Sequence, residues 1–365
     1  MNSGELTPFW KRLDWILILF TLPFILISLK LVSEISEKLY LKELTYLGIG
    51  GIVFLVILFI PIRKLLWLVP FLYWGNVLLL GLVDLIGVSK LGARRWLEIP
   101  FTPFTIQPSE FMKTTLLLML GYLIYRYPPR PYYRLGEFLR LSVYILVPFF
   151  LIAKEPDLGT ALIILLVGMG VLFIVGVDKK VWIGLGVATL IIVPVGYKYF
   201  LKDYQRKRIE AFIHKPSYHV RQSLIAIGSG GITGKSVQDA TQTQLKFLPI
   251  ASSDFIFAYF AERFGFVGAV GLILLYFAFI TYLLLRAERF KEDYLAKVMF
   301  AGVALLLFVY SFVNIGMTIK MAPVVGIPLP MVSYGGTSFL TFVVLIAILE
   351  NLVARGDFLH SYGVK

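Results

Sequence analysis

Apolar runs of about 20 residues recur from one end of this chain to the other, and few features restrict a fold as severely. A helix needs about 20 predominantly apolar residues to cross ~30 Å of hydrocarbon. The runs lie roughly at 14–32, 46–62, 66–88, 110–125, 138–153, 158–176, 181–200, 264–285, 297–318 and 337–354. They are continuous rather than alternating, which excludes a transmembrane β-barrel. Of the 365 residues only 16% are charged, against about 25% in a soluble domain. The expected fold class is therefore all-α: a polytopic integral membrane protein of about ten transmembrane helices, with 1–365 as a single integral membrane domain. The first run follows Lys11 and Arg12. It is too long for a signal peptide and reads as a retained span.

An even number of spans puts both termini on one side. The short connections on that side carry Lys11, Arg12, Arg63, Lys64, Arg126, Arg130, Arg134, Arg140, Lys179, Lys180, Arg286, Arg289, Lys291, Lys297 and Arg355. The positive-inside rule makes it the cytoplasmic side. The other side holds 33–45, 89–109, 154–157, 201–263 and 319–336. The net charge of +13 follows largely from this bias and from attraction to anionic lipid. No basic domain stands apart, so nucleic acid is not an expected partner. Cysteine is absent, which excludes disulfides, thiolate metal sites and a cysteine nucleophile.

Segment 201–263 breaks the charge rule. It is a long extracytoplasmic loop, yet it carries Lys202, Arg206, Lys207, Arg208, Lys215, Arg221, Lys235 and Lys246. A solvated, lipid-facing loop would account for the Arg206–Arg208 cluster as well as capture of an anionic, membrane-borne ligand does. Asp254 to Leu285 as one helix would be about 48 Å long, too long for a single crossing. Its first part reads as an interfacial helix that turns near Gly265 or Gly268, with Asp254 at its N-terminus.

Several short motifs fall on the outer side. Pro328-Leu329-Pro330-Met331-Val332-Ser333-Tyr334-Gly335-Gly336 cannot continue a helix, and such backbone beside a membrane lines a site or an interface. Asp254 suits a helix cap and a general base equally well. Glu110 and Lys113, three apart at the mouth of a span, share a helix face, either as an anchoring ion pair or as cavity charges. Glu155-Pro156-Asp157-Leu158-Gly159-Thr160 reads as a tight turn, with Glu155 as turn chemistry and Asp157 open to either role. Gly228–Ser236 imitates a nucleotide loop, but Ser229 stands where a Walker A loop needs glycine. Flexible glycines moving over a ligand are the better reading. Asn76, Asp84 and Asn314 read as packing glue inside spans. His214, His219 and His360 lack zinc-ligand spacing.

Taken together, Gly92-Ala93-Arg94-Arg95-Trp96, Gln107-Pro108-Ser109-Glu110, the Glu155–Thr160 turn, Gln222-Ser223 with Ala226–Gly231, Gln244–Pro249, Asp254–Phe257 with Ala261-Glu262, and Pro328–Gly336 resemble the SEDS family of bacterial cell-wall polymerases (RodA, FtsW, SpoVE). The short termini look most like its RodA branch. The resemblance implies a peptidoglycan glycosyltransferase that polymerises lipid II into β-1,4 glycan during cell-wall elongation. It implies a bacterial inner membrane location with both termini cytoplasmic. The family's loop aspartate falls on Asp254, the expected base. Its polar cavity residues fall on Arg95, Gln107, Glu110, Lys113 and Asp157. Arg94, Arg221, Gln244 and Ser333 complete the expected substrate-binding set. The leaving undecaprenyl-pyrophosphate calls for positive charge from these side chains or from a divalent cation (Mg or Mn), with no organic cofactor. The implied partners are a class B penicillin-binding protein, other cell-elongation proteins and membrane lipid. The chain departs from the family in Ser252-Ser253, where His or Thr often precedes the aspartate, and in a more polar 232–240. A lipid II flippase and a non-catalytic scaffold are the competing readings.

Overall fold

The computed structural model describes residues 9–90, 93–98, 105–155, 157–199, 216–245 and 251–355, with a few isolated positions between 200 and 250. Lys202, Lys207, Arg208, Lys215 and Lys246 of the basic loop lie outside the described residues, as do Gly92, Pro156, Pro249, His214 and His360.

The helices are α1 (Trp15–Ile35), α2 (Glu37–Phe59), α3 (Val69–Ile86), α4 (Pro108–Arg126), α5 (Leu135–Lys154), α6 (Leu158–Val175), α7 (Lys179–Tyr199), α8 (Tyr218–Ser229), α9 (Ile256–Arg289), α10 (Tyr294–Thr318) and α11 (Gly336–Ala354). Among the described residues nine helical stretches are long and apolar enough to span a membrane. α4 is the tenth expected span. It is long enough at 19 residues, but its charges dilute its hydropathy. Those charges are tolerable because α4 is among the most enclosed helices, with Glu110 and Lys113 buried among Met112, Leu116 and Leu117.

α10 is the centre. It packs against α4, α6, α9 and α11, and most of its apolar stretch is buried, whereas none of α7's is. α7 therefore faces lipid, and the bilayer stabilises it more than packing does.

The all-α expectation holds apart from one small sheet in segment 89–109. Strands β1 (Val88–Lys90), β2 (Ala93–Glu98) and β3 (Thr105–Ile106) pair antiparallel in that order. Leu97 pairs with Ile106, only two residues before α4 begins. The sheet thus ties β2 to the start of α4.

The turn expected near Gly265 or Gly268 falls at Gly265, where φ is 66° and ψ is −166°. Only glycine adopts that region readily. A kink there strands the N–H groups of Phe266 and Val267 from their helical acceptors. The glycine-rich segment replaces them: Gly231 accepts from Phe266 N (2.8 Å) and Ile232 from Val267 N (3.1 Å), while Lys235 N donates to Glu262 (3.1 Å). A side chain at Gly230 or Gly234 would collide with the α9 backbone. These glycines are therefore pinned, a correction to the reading of a loop that moves over a ligand. The half-helix before the kink is fastened to α1 as well. Glu34 accepts from Tyr259 (2.8 Å) and from Arg263 Nε (2.8 Å) and Nη2 (3.0 Å).

Gly265→Ala should cost about 1–3 kcal/mol through backbone strain and lower the thermal midpoint in detergent. Gly75→Ala, in open space on α3, should be neutral or stabilising.

Candidate active site

Asp254 lies in a turn just before α9. The N-cap is Phe255, whose side chain makes no cap bond, so Asp254 does not hold the capping position. Two neighbouring elements grip the backbone of 252–254 instead. Asn314 of α10 donates from Nδ2 to the Asp254 carbonyl (2.9 Å) and to Ile327 (2.6 Å). Ser333 Oγ donates to the Ser253 carbonyl (2.6 Å) and accepts from Leu329 N (2.7 Å). Tyr334 N donates to Ser252 (2.8 Å). Phe255 stacks on His219 of α8 (centroids 6.0 Å apart). The Pro328–Gly336 stretch is held in turn by Tyr276, whose hydroxyl donates to the Pro330 carbonyl (2.5 Å). Gly326 comes close enough that a Cβ there would lie 3.4 Å from Asp254 Oδ2. The outcome is a half-buried carboxylate on an immobilised backbone.

Asn314 therefore has a specific task beyond packing. Ser333 spends its donor and one acceptor on backbone, which makes it a holder of the Asp254 segment. One turn before Asn314, about 6 Å along α10, stands Tyr310, which the sequence reading did not single out. Its hydroxyl accepts from Lys113 Nζ (2.5 Å), and the ammonium also lies 4.7 Å from the ring centroid. Lys113 Nζ is 2.6 Å from Glu110 Oε1, with side chains 1% and 9% exposed. Pro108 at the start of α4 and Glu110 in its first turn suit a helix N-terminus. Gln107, half-buried, precedes α4, and its carbonyl accepts from Glu110 N (3.0 Å).

Asp157 fills the capping role and also faces an arginine. Oδ1 caps α6 by accepting from Thr160 N (3.3 Å), and Oδ2 is 3.7 Å from Arg95 Nη1 of β2. Strand alternation puts Arg95 on the same face as buried Leu97. Gly159 packs on Val325, next to Gly326, so the α6 start and Asp254 abut the same short segment. Arg95, Asp157, Glu110, Lys113 and Asp254 thus share one end of the bundle. Arg221 is exposed on α8, and no contact joins it to that group. The side chains of Arg94 and Gln244 lie outside what the structure describes. Asn76 keeps its expected packing role, donating to Thr115 (3.2 Å). Asp84 pairs with Lys154 (2.6 Å).

Glu155 exceeds its expected turn role. It is 2% exposed, and among the described residues neither carboxylate oxygen has a hydrogen-bond partner. Burial pushes its carboxyl up to about 8, reinforced by the charges of Asp157 and Asp84 and partly offset by Arg95. Among the described residues no three acidic or histidine side chains are grouped to hold a metal ion.

Known proteins resemble this chain over nearly its whole length. The family model named for FtsW, RodA and SpoVE, described as a cell cycle protein, matches residues 11–356. A peptidoglycan glycosyltransferase MrdB of Helicobacter pylori strain J99 is 53% identical, covering 94% of this chain and 91% of its own length. The Escherichia coli K12 MrdB is 36% identical over 94% of this chain and 95% of its own. Among solved structures, a chain from a peptidoglycan synthase complex superposes with a TM-score of 0.81 at 26% identity, covering 94% of this chain and 98% of that one. The Thermus thermophilus rod shape determining protein RodA gives 0.71 at 25% identity, covering 95% and 99%.

Two outcomes test the electrostatics. Lys113→Met alone should destabilise by about 3–5 kcal/mol, because it leaves a buried carboxylate unpaired. Adding Glu110→Gln should recover much of that loss, as read by thermal unfolding. Glu155 has a folded value raised above its ordinary 4.5. Across that window the folded chain keeps a proton that the unfolded chain has released, so stability falls as pH rises from about 4.5 toward about 8. Glu155→Gln should flatten this slope in thermal midpoints measured across that range.

Proposed function

The chain belongs to the FtsW, RodA and SpoVE family and is a peptidoglycan glycosyltransferase; from that premise we propose that it polymerises lipid II with Asp254 as general base. The observation that carries the reading is the grip on residues 252–254 by Asn314, Ser333 and Tyr334. It fixes the backbone of one carboxylate at the end of the bundle that also holds the buried Lys113–Glu110 ion pair. General bases act only within hydrogen-bond reach of the proton they remove, so such fixation has a direct catalytic use.

In the proposed step, the growing glycan is the donor, held through its undecaprenyl-pyrophosphate. The hydroxyl of the terminal N-acetylglucosamine of lipid II gives its proton to Asp254. The freed oxygen attacks the donor's anomeric carbon from the side opposite the pyrophosphate. One C–O bond forms as another breaks, and an α linkage becomes β-1,4. Lys113 and Arg95 meet the charge that grows on the departing pyrophosphate. Glu110 and Tyr310 orient Lys113, and Asp157 orients Arg95. Arg94, Gln107, Arg221 and Gln244 remain proposed substrate contacts.

The proposal places the protein in a bacterial inner membrane with both termini cytoplasmic, and the basic connections on that side support the orientation. Asp254 and loop 201–263 then face outward, where lipid II presents its disaccharide. A class B penicillin-binding protein supplies the transpeptidase, since the chain's motifs account for polymerisation only. This combination fits elongation of the wall alongside other elongation proteins.

Asp254→Asn should fold normally, judged by its thermal midpoint, and lose about 10²–10⁴ in the rate of polymerising purified lipid II. Wild-type rates from that variant would sink the base assignment and favour a flippase or a scaffold. Asn314→Leu should lower kcat more than KM, because it loosens the base without touching substrate.

A further inference from the structure

A cavity of about 730 Å³ lies between α3, the end of α4, the α4–α5 connection and the start of α5. Its α4 lining runs from Met119 to Arg126, and Arg126 stands about 20 Å along the helix from Lys113; neither Glu110 nor Lys113 lines it, so it is distinct from the active site. Its wall mixes two chemistries. Arg126, Arg130 and Arg140 are exposed along one part. Trp74, Leu123 and Leu141 form another. Arg126 Nη1 donates to Tyr122 (2.8 Å), which sets the guanidinium against the wall with its other donors available. Glu137 is the one acidic residue among those lining the cavity, and its Oε2 already accepts from Arg134 N (2.8 Å) to cap α5. Trp74 packs near Tyr144 (centroids 6.2 Å apart), an aromatic pair of the kind found at headgroup level.

The positive-inside bias explains basic residues in this connection, but not their convergence with an apolar wall on one cavity. A soluble anion would use the arginines and leave Trp74, Leu123 and Leu141 without a purpose. A partner helix would use the apolar wall and leave three arginines to be desolvated. An amphiphile with a phosphate head uses both. Arginine forks match phosphate oxygens, and the wall continues toward the depth of the acyl chains. Basic pockets between spans are suited to lipid headgroups. We propose that this cavity binds one anionic glycerophospholipid, its phosphate between Arg126, Arg130 and Arg140 and its upper acyl chain along Trp74, Leu123 and Leu141. The inference rests on the cavity's chemistry and holds for whichever leaflet faces this end.

The test is native mass spectrometry of the full-length protein, released from nanodiscs of phosphatidylcholine doped with phosphatidylglycerol. Wild type should retain one phosphatidylglycerol. The Arg126→Gln/Arg130→Gln/Arg140→Gln variant should bind it on the order of 100-fold more weakly. A control variant, Lys179→Gln/Lys180→Gln/Arg289→Gln, removes equal charge from other connections and should bind as wild type does. Thermal midpoints in lipid-free detergent check that each variant folds, and Arg126→Lys/Arg140→Lys provides a milder change that should weaken binding less. Equal losses in both triple variants would mean diffuse attraction and overturn the site. So would retention of phosphatidylcholine as readily as phosphatidylglycerol. Undecaprenyl phosphate displacing phosphatidylglycerol when added at equal concentration would overturn the lipid class. Full competition by inorganic phosphate would reduce the site to a soluble-anion pocket.

Discussion

Backbone that leaves its helix beside hydrocarbon must find hydrogen bonds inside the protein, because no water is there to provide them. The active-site end of this bundle is organised around that requirement. Two interruptions meet there, the kink at Gly265 and the turns of 319–335. Neither is left to solvent. The carbonyls of Gly231 and Ile232 take the amides released by the kink. Asn314 and Ser333 take the carbonyls and amide exposed by the turns. Satisfying these groups and holding Asp254 are accomplished by the same contacts, so the solvent constraint and the chemistry share one solution.

The charges obey a parallel logic. Lys113 is placed almost out of reach of water, which is tolerable only with Glu110 and Tyr310 against it. Arg95 and Asp157 repeat the device nearer the surface. Glu155 departs from it by having no hydrogen-bond partner among the described residues, and burial pushes its carboxyl up to about 8.

Much of this is legible from residues alone, for a definable reason. Span length, charge asymmetry and the turn at Gly265 are local properties, readable from a window of a few residues. The helix α4 is legible even though Glu110 and Lys113 weaken its apolar signal, because the run beyond them is unbroken. What escaped was long-range. Tyr310 and Asn314 sit at i and i+4, so a common face could have been noticed, but their partners are about 197 and 60 residues away in sequence. Ser333 looked like a ligand contact because hydroxyls in turn motifs often are, and only the fold reveals the two backbone groups that occupy it. The glycine-rich segment looked mobile because composition cannot show that α9 lies against it. The three short strands were hidden because two or three residues per strand carry too little periodicity to stand out.

The contrast between α10 and α7 has a consequence for how this chain can change over time. A residue on α10 must suit α4, α6, α9 and α11 at once, and two of its polar positions also hold the site. Drift there is confined to near-isosteric exchanges. Along α7, Val181, Trp182 and Leu185 near its start touch the core, but none of the apolar stretch is buried, so most residues that dissolve in acyl chains will serve. Related chains should therefore diverge fastest where the helix answers only to lipid, and the most variable span will say least about activity.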